Sequence, residues 1–145
     1  GPAKTAPPRQ APRRGVMVIV DSSVWIDFQR EPTSIAGREL DSLLAARDVV
    51  MVGPVLAKIL QASRSEREFA FFASRLTALD YLEADQQTWV EVGRVGAHLK
   101  RQGVTLGFAG LIISSLAIQH GLSVYTIDGD LNRVPGLSLH TPGEQ

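Results

Sequence analysis

Three acidic residues stand at the ends of two apolar runs, and they are the part of this sequence best placed to do chemistry. Asp21 follows Val16-Met17-Val18-Ile19-Val20; Asp128 and Asp130 follow the run Leu122 to Ile127. Such short, β-branched runs read as buried strands. Open α/β sheets bind ligands at the carboxyl ends of their strands. If the two strands are neighbours in a parallel sheet, all three carboxylates gather at one edge and repel one another. A hard divalent ion, Mg²⁺ or Mn²⁺, relieves that repulsion and takes oxygen ligands. Water on such an ion can attack phosphorus while the ion neutralises charge developing on the phosphate. The structural alternative is an Asp that ends a strand, with Asp128-Gly129-Asp130 as an ordinary turn.

The elements that must position these residues alternate along the chain. Ser22 and Ser23 are candidate caps for a short helix from Val24 to Phe28. Ser34 caps a second helix, with Ile35, Leu40, Leu43 and Leu44 at helical spacing. Val49 to Val52 is a second strand, closed by Gly53-Pro54, and Pro54 suits the first turn of a helix running to about Ala62. Ser65 and Glu68 form a capping box for a helix whose stripe, Phe69, Phe72, Leu76 and Leu79, reads as core. Phe71 lies off that stripe, as a second core contact or an exposed aromatic for a partner. Asp80 to Glu83 is an edge-like strand. Helices follow at Gln86–Arg101, with the stripe Trp89, Val92, Gly96 and Leu99, and at Phe108–His120. A last short strand spans Ser138 to His140. Strands alternating with helices predict a three-layer α/β/α domain with a mainly parallel central sheet.

Composition narrows the field. The chain has 145 residues and no cysteine, which suits one domain and excludes both disulfides and thiolate metal sites. Formal net charge is zero, yet Lys4, Arg9, Arg13 and Arg14 stand in the first fifteen residues without an acid. The remainder is therefore acidic and lacks a general basic footprint for nucleic acid. Residues 1–15 are expected to be a disordered Pro/Arg-rich tail or cloning linker, and residues 16–145 the folded domain. With no apolar run of membrane-spanning length and no signal-peptide pattern, a cytoplasmic location is expected.

Other chemistries fit worse. A haloacid-dehalogenase-like phosphotransferase wants a second acid two residues after the first, where Ser23 stands. A phosphate-accepting receiver domain wants an Asp after the Val49–Val52 strand, and none is there. Phosphate-cradling Gly-rich loops with Lys-Ser/Thr, Gly-x-Ser-x-Gly and HExxH are all missing. His98, His120 and His140 are too scattered to suggest a zinc site.

Four segments carry a family resemblance. Val18 to Phe28, Pro54-Val55-Leu56-Ala57-Lys58-Ile59-Leu60-Gln61, Thr105 to Ile113 and Tyr125-Thr126-Ile127-Asp128-Gly129-Asp130-Leu131 resemble, in order and spacing, the motifs of PIN-domain proteins, specifically VapC-type toxins of toxin–antitoxin pairs. The resemblance implies a Mg²⁺- or Mn²⁺-dependent endoribonuclease acting on structured RNA such as transfer or ribosomal RNA. It also implies a VapB-type antitoxin partner and a homodimer. Carried over by position, Asp21 and Asp128 are catalytic and metal-binding, Asp130 assists with the metal, and Ser22 and Thr126 are supporting residues.

Two positions depart from the pattern. Lys58 stands where the family's second motif has Glu, and Gly110 where the third has Asp. Four carboxylates become Asp21, Asp128, a glycine and a cation, which removes most of the reason for Mg²⁺ to bind. An ammonium from Lys58 can neutralise Asp21 and Asp128 but cannot activate water as a metal does. Gly110 deletes a ligand and fills no evident backbone need. The expectation is a toxin impaired at its metal site; the alternative is a natural pseudoenzyme that binds RNA or antitoxin without cutting.

Overall fold

A computed structural model describes residues 17–143; the expected tail at residues 1–15 lies outside the described residues. The elements run β1 (Val18–Val20), α1 (Ser22–Arg30), α2 (Ile35–Ala45), β2 (Val49–Val52), α3 (Gly53–Gln61), α4 (Glu66–Leu76), β3 (Asp80–Leu82), α5 (Gln86–Arg101), α6 (Phe108–His120), β4 (Ser123–Tyr125), a 3₁₀ turn (Gly129–Arg133) and β5 (Ser138–Leu139). The sheet order is β3-β2-β1-β4-β5, with every pairing parallel. This is the three-layer α/β/α arrangement expected from the alternation of elements.

The order follows from burial. β1 and β2 are buried at every residue, as strands in the middle of a sheet covered on both faces must be. β3 is half-exposed and forms one edge. Ile19, Leu40, Met51, Ile113 and Leu116 are fully buried and join sheet to helices in one core. α6 is so evenly apolar that its Ser114 and Ser115 are buried as well. Among the described residues no helix is long and apolar enough to cross a membrane.

Two devices hold α5 and α6 in place. Asp85 caps α5 by accepting from the Thr88 N–H at 2.9 Å, while the Thr88 hydroxyl donates to Gln119 Oε1 on α6 at 2.6 Å. The Gln119 amide returns to Asp85 at 3.3 Å. The Thr88 N–H is the main reason the Asp85 carboxyl is held below its ordinary pKa, with the Gln119 amide adding to it. α6 then ends on Gly121 at φ 68°, the left-handed cap that glycine adopts without strain.

Three expectations fail. Ser22 and Ser23 are not caps: α1 begins at Ser22, its N-cap is Asp21, and Asp21 makes no side-chain cap bond. The α4 stripe is not ordinary core, since Leu76 is its only buried residue and Phe69 is 42% exposed. On α5, Trp89 is 48% exposed although Val92 and Leu99 of the same stripe are buried. Phe71 lies outside the core with the Arg75 guanidinium 4.6 Å above its ring.

Candidate functional site

β1 and β4 are neighbours, with Val20 in register with Tyr125, so Asp21 and the loop carrying Asp128 and Asp130 leave the same edge of the sheet. The Asp21 N–H continues the ladder by donating to the Tyr125 carbonyl at 2.8 Å. The parallel pairing therefore meets the condition on which the two acidic strand ends come together.

Asp21 is half-buried, and two hydroxyls hold its side chain. Ser23 Oγ donates to Oδ2 at 2.7 Å and Thr126 Oγ1 donates to the same oxygen at 2.9 Å. Each hydroxyl also accepts from the β4 loop: Ser23 from the Ile127 N–H at 3.3 Å, Thr126 from the Asp128 N–H at 3.0 Å. A hydroxyl has one hydrogen, and both are committed to Asp21. The 3.3 Å approach of Ser23 Oγ to Thr126 Oγ1 is then a contact between oxygens and adds no further bond. The hydroxyl that reaches Asp21 beside Thr126 belongs to Ser23; Ser22 is buried at the start of α1. Sequence reasoning missed Ser23. In a helix, Cβ vectors at adjacent positions diverge, so only one of two neighbouring serines can turn back to the strand end.

Asp128 and Asp130 are exposed on the following turn, where Asp128 Oδ1 accepts from the Asp130 N–H at 3.0 Å. That bond makes Asp128 the N-cap of the 3₁₀ turn. Among the described residues no group of three or more acidic, His or Cys side chains is arranged to hold a metal ion.

Lys58 is exposed on α3 and makes no ion pair with Asp21 or Asp128. The expectation of an ammonium seated between the two carboxylates is therefore corrected. Val55 and Ile59 are the residues of α3 that anchor it in the core, and they leave position 58 turned outward. Gly110 does fill a packing need. A Cβ there would lie 3.2 Å from Leu106 Cγ and 3.3 Å from Leu131 Cδ2, tighter than ordinary contact. Leu131 belongs to the turn that presents Asp130, so the bare backbone of α6 is the seat on which that turn rests.

A groove of about 380 Å³ opens beside the acids, floored by Thr126 and Asp128. Its walls are the turn after β4, the segment Leu139 to Pro142, and Ile35 and Ala36 at the start of α2. Glu39 of α2, buried, fixes the second of these walls. Its carboxylate meets His140 Nε2 at 2.6 Å and accepts from the Gly143 N–H at 3.3 Å. Burial, and then the carboxylates of Glu39 and Asp27, push the neighbouring Tyr125 phenol above its usual pKa. Exposed Trp89 stacks on exposed Phe108 at the start of α6, with ring centroids 6.5 Å apart and planes 7° from parallel.

Comparison with known proteins bears on what this edge is for. The sequence profile of the PIN domain matches residues 18–137. The chain belongs to the PIN-domain family. The matched span takes in every candidate site residue of this PIN domain, from Asp21 through Lys58 and Gly110 to Asp130. One relative, Ribonuclease VapC11 of Mycobacterium tuberculosis, is 25% identical over 120 residues, which cover 80% of this chain and 90% of the relative. The PIN fold is shared with VapBC of Rickettsia felis bound to a promoter DNA fragment, at TM-score 0.71 and 18% identity over 86% of this chain and 97% of that one. DNA-bound VapBC of Salmonella typhimurium superposes at TM-score 0.73 and 21% identity over 86% of this chain and 97% of that one.

Proposed function

We propose that this PIN domain is a VapC-type toxin of endoribonuclease lineage, acting on structured RNA, whose phosphodiester chemistry is impaired by Lys58 and Gly110. The observation that carries this reading is the Asp21–Ser23–Thr126–Asp128 unit at the sheet edge. It retains the frame of an acidic site while positions 58 and 110 supply no carboxylate. A resident Mg²⁺ or Mn²⁺ keeps several waters but still needs carboxylates gathered around it, and Asp21, Asp128 and Asp130 do not form a group of three arranged to hold an ion. The donor set present therefore does not fit the ion. What the residues of this chain can do is hold Asp21 in one orientation, present Asp128 and Asp130 to solvent, and offer the exposed Lys58 ammonium to a phosphate.

The relatives named ribonuclease and the toxin–antitoxin complexes among the solved folds support this reading. The same reading gives the chain a VapB-type antitoxin partner, a homodimeric state and a cytoplasmic location.

The test is restoration. The double variant Lys58→Glu/Gly110→Asp, shown to be folded by circular dichroism, should cleave transfer or ribosomal RNA with Mg²⁺ and arrest growth when expressed. The parent chain should do neither. An inert, harmless double variant would defeat the toxin reading. It would leave the pseudoenzyme that binds RNA or antitoxin, a reading favoured by the tight packing of Leu106 and Leu131 against Gly110.

A further inference from the structure

We infer that the groove between the 3₁₀ turn and the Leu139–Pro142 segment is a subsite for one unpaired base of the RNA, with the sugar and phosphate left outside it. The inference rests on the reading of the edge as an RNA site and names which part of the RNA goes where.

Four observations select a base. The groove is continuous with the site, because Thr126 and Asp128 are its floor. Its volume of about 380 Å³ falls within the range of small-molecule sites, roughly 300–1,000 Å³. Its walls offer apolar surface to a flat ring from Ile35 and Ile127, 67% and 54% exposed, and from Leu139. Its rim offers the Asn132 carboxamide, which both donates and accepts and so can read a base edge. In the turn, the Asn132 amide nitrogen lies over Gly129, where even an added Cβ would sit only 3.7 Å from it.

Charge excludes the other half of a nucleotide. No Lys or Arg is among the described residues lining the groove, and Asp128 is. The one other ionisable lining group that could carry positive charge, His140, is engaged by Glu39. A phosphate placed here would meet Asp128 with nothing to neutralise it, whereas a neutral base would not be repelled.

Glu39 is a positioning residue for this subsite. It reaches no ligand, but its bonds to His140 and Gly143 fix one wall.

The test uses the full chain and short fluorescein-labelled single-stranded RNAs: oligo-A, oligo-C, oligo-U and an abasic strand of equal length, read by anisotropy. The chain should prefer one base, and should bind the abasic strand about fivefold or more weakly than its preferred one, the lower end of what a lost base contact gives. Asn132→Ala and Ile127→Ala should each remove most of that preference, while Phe71→Ala on α4 leaves it intact. Equal binding of all four strands, unmoved by the Asn132 and Ile127 variants, would overturn the subsite and leave the RNA reading standing. No binding to any strand would overturn both. Unchanged RNA binding together with loss of self-association on a sizing column in the same two variants would assign the groove to a second copy of the chain, and overturn the subsite.

Discussion

Thr126 donates its only hydroxyl hydrogen to Asp21 Oδ2 at 2.9 Å and, through the same oxygen, accepts the Asp128 N–H at 3.0 Å. One atom thus ties the end of β1 to the loop after β4, over a sequence separation of 105 residues. Thr126→Val keeps the shape and removes the atom. It leaves a half-buried carboxylate with one hydroxyl donor in place of two and the Asp128 N–H without its acceptor. The expected cost is about 1–3 kcal/mol, read from urea unfolding. Ser23→Ala should cost a similar amount, and a neutral result for both variants would remove the clamp from the account.

Gly110→Ala separates packing from chemistry. Alanine gains up to about 1 kcal/mol of helix propensity over glycine. Against this, Leu131 is 4% exposed and has little room to retreat from the new Cβ. Overpacking costs typically about 1–3 kcal/mol, so the net change should be a small destabilisation. Gly110→Ala/Leu131→Ala should relieve only the contact with Leu131, leaving Leu106 Cγ 3.2 Å from the new Cβ, and should be less stable than the parent because the buried leucine is lost. A clear gain in stability for Gly110→Ala alone would show that glycine is not needed there.

Lys58→Glu changes charge without touching the core, since Lys58 is exposed. Stability should move by no more than about 0.5 kcal/mol. Mn²⁺ affinity, followed by electron paramagnetic resonance of the free ion, should rise relative to the parent chain, and rise again when Gly110→Asp is added. Equal affinity in parent, single and double variants would mean that these positions do not face the acids.

Asp85 predicts a pH dependence. Its folded-state pKa is lowered, chiefly by the Thr88 N–H, so the carboxylate form is favoured by folding. The sign follows from linkage: its contribution is present above the ordinary carboxylate range and is lost as pH falls through the depressed value. Asp85→Ala should therefore lower Tm at neutral pH, and the gap between variant and parent should narrow as the solution is acidified. A gap that stays constant from neutral to acid would assign the effect to packing of Thr88 and Gln119 in place of the charge.

Glu39→Ala tests the wall of the groove. It removes a buried carboxylate from His140 and from the Gly143 N–H. The expected loss is about 2–4 kcal/mol, with faster amide exchange confined to residues 140–143. Uniformly faster exchange would mean that Glu39 supports the whole core and not this segment.

The extent of α5 was legible because periodicity coincides with a capping residue, Asp85; α6 is evenly apolar and without such periodicity, and its end was legible from the stop at Gly121. The pairing of β1 with β4 was legible only as a condition, since an acid after each strand does not state that the strands are adjacent. Periodicity placed Phe69 and Trp89 on the same faces as buried residues but could not say how far the covering elements extend. α4 is thinly covered, and Phe69 emerges from it. The choice between Ser22 and Ser23 depends on where α1 starts, a matter of one residue. Glu39 and His140 are 101 positions apart, and neither lies in a motif, so nothing local announces their bond. Gly110 looked like a deleted side chain because Leu131, which fills its space together with Leu106, becomes a neighbour only in the fold.

The clamp on Asp21 is built wholly from neutral groups, two hydroxyls and two backbone amides. A carboxylate held by counter-charge would wander when its cation left, or when salt screened it. Here orientation is independent of ionic strength and of whether a cation is present at all. The Asp21 end of the site is therefore preorganised, whereas any side chain added at position 110 would first have to displace Leu131 and the turn that carries it.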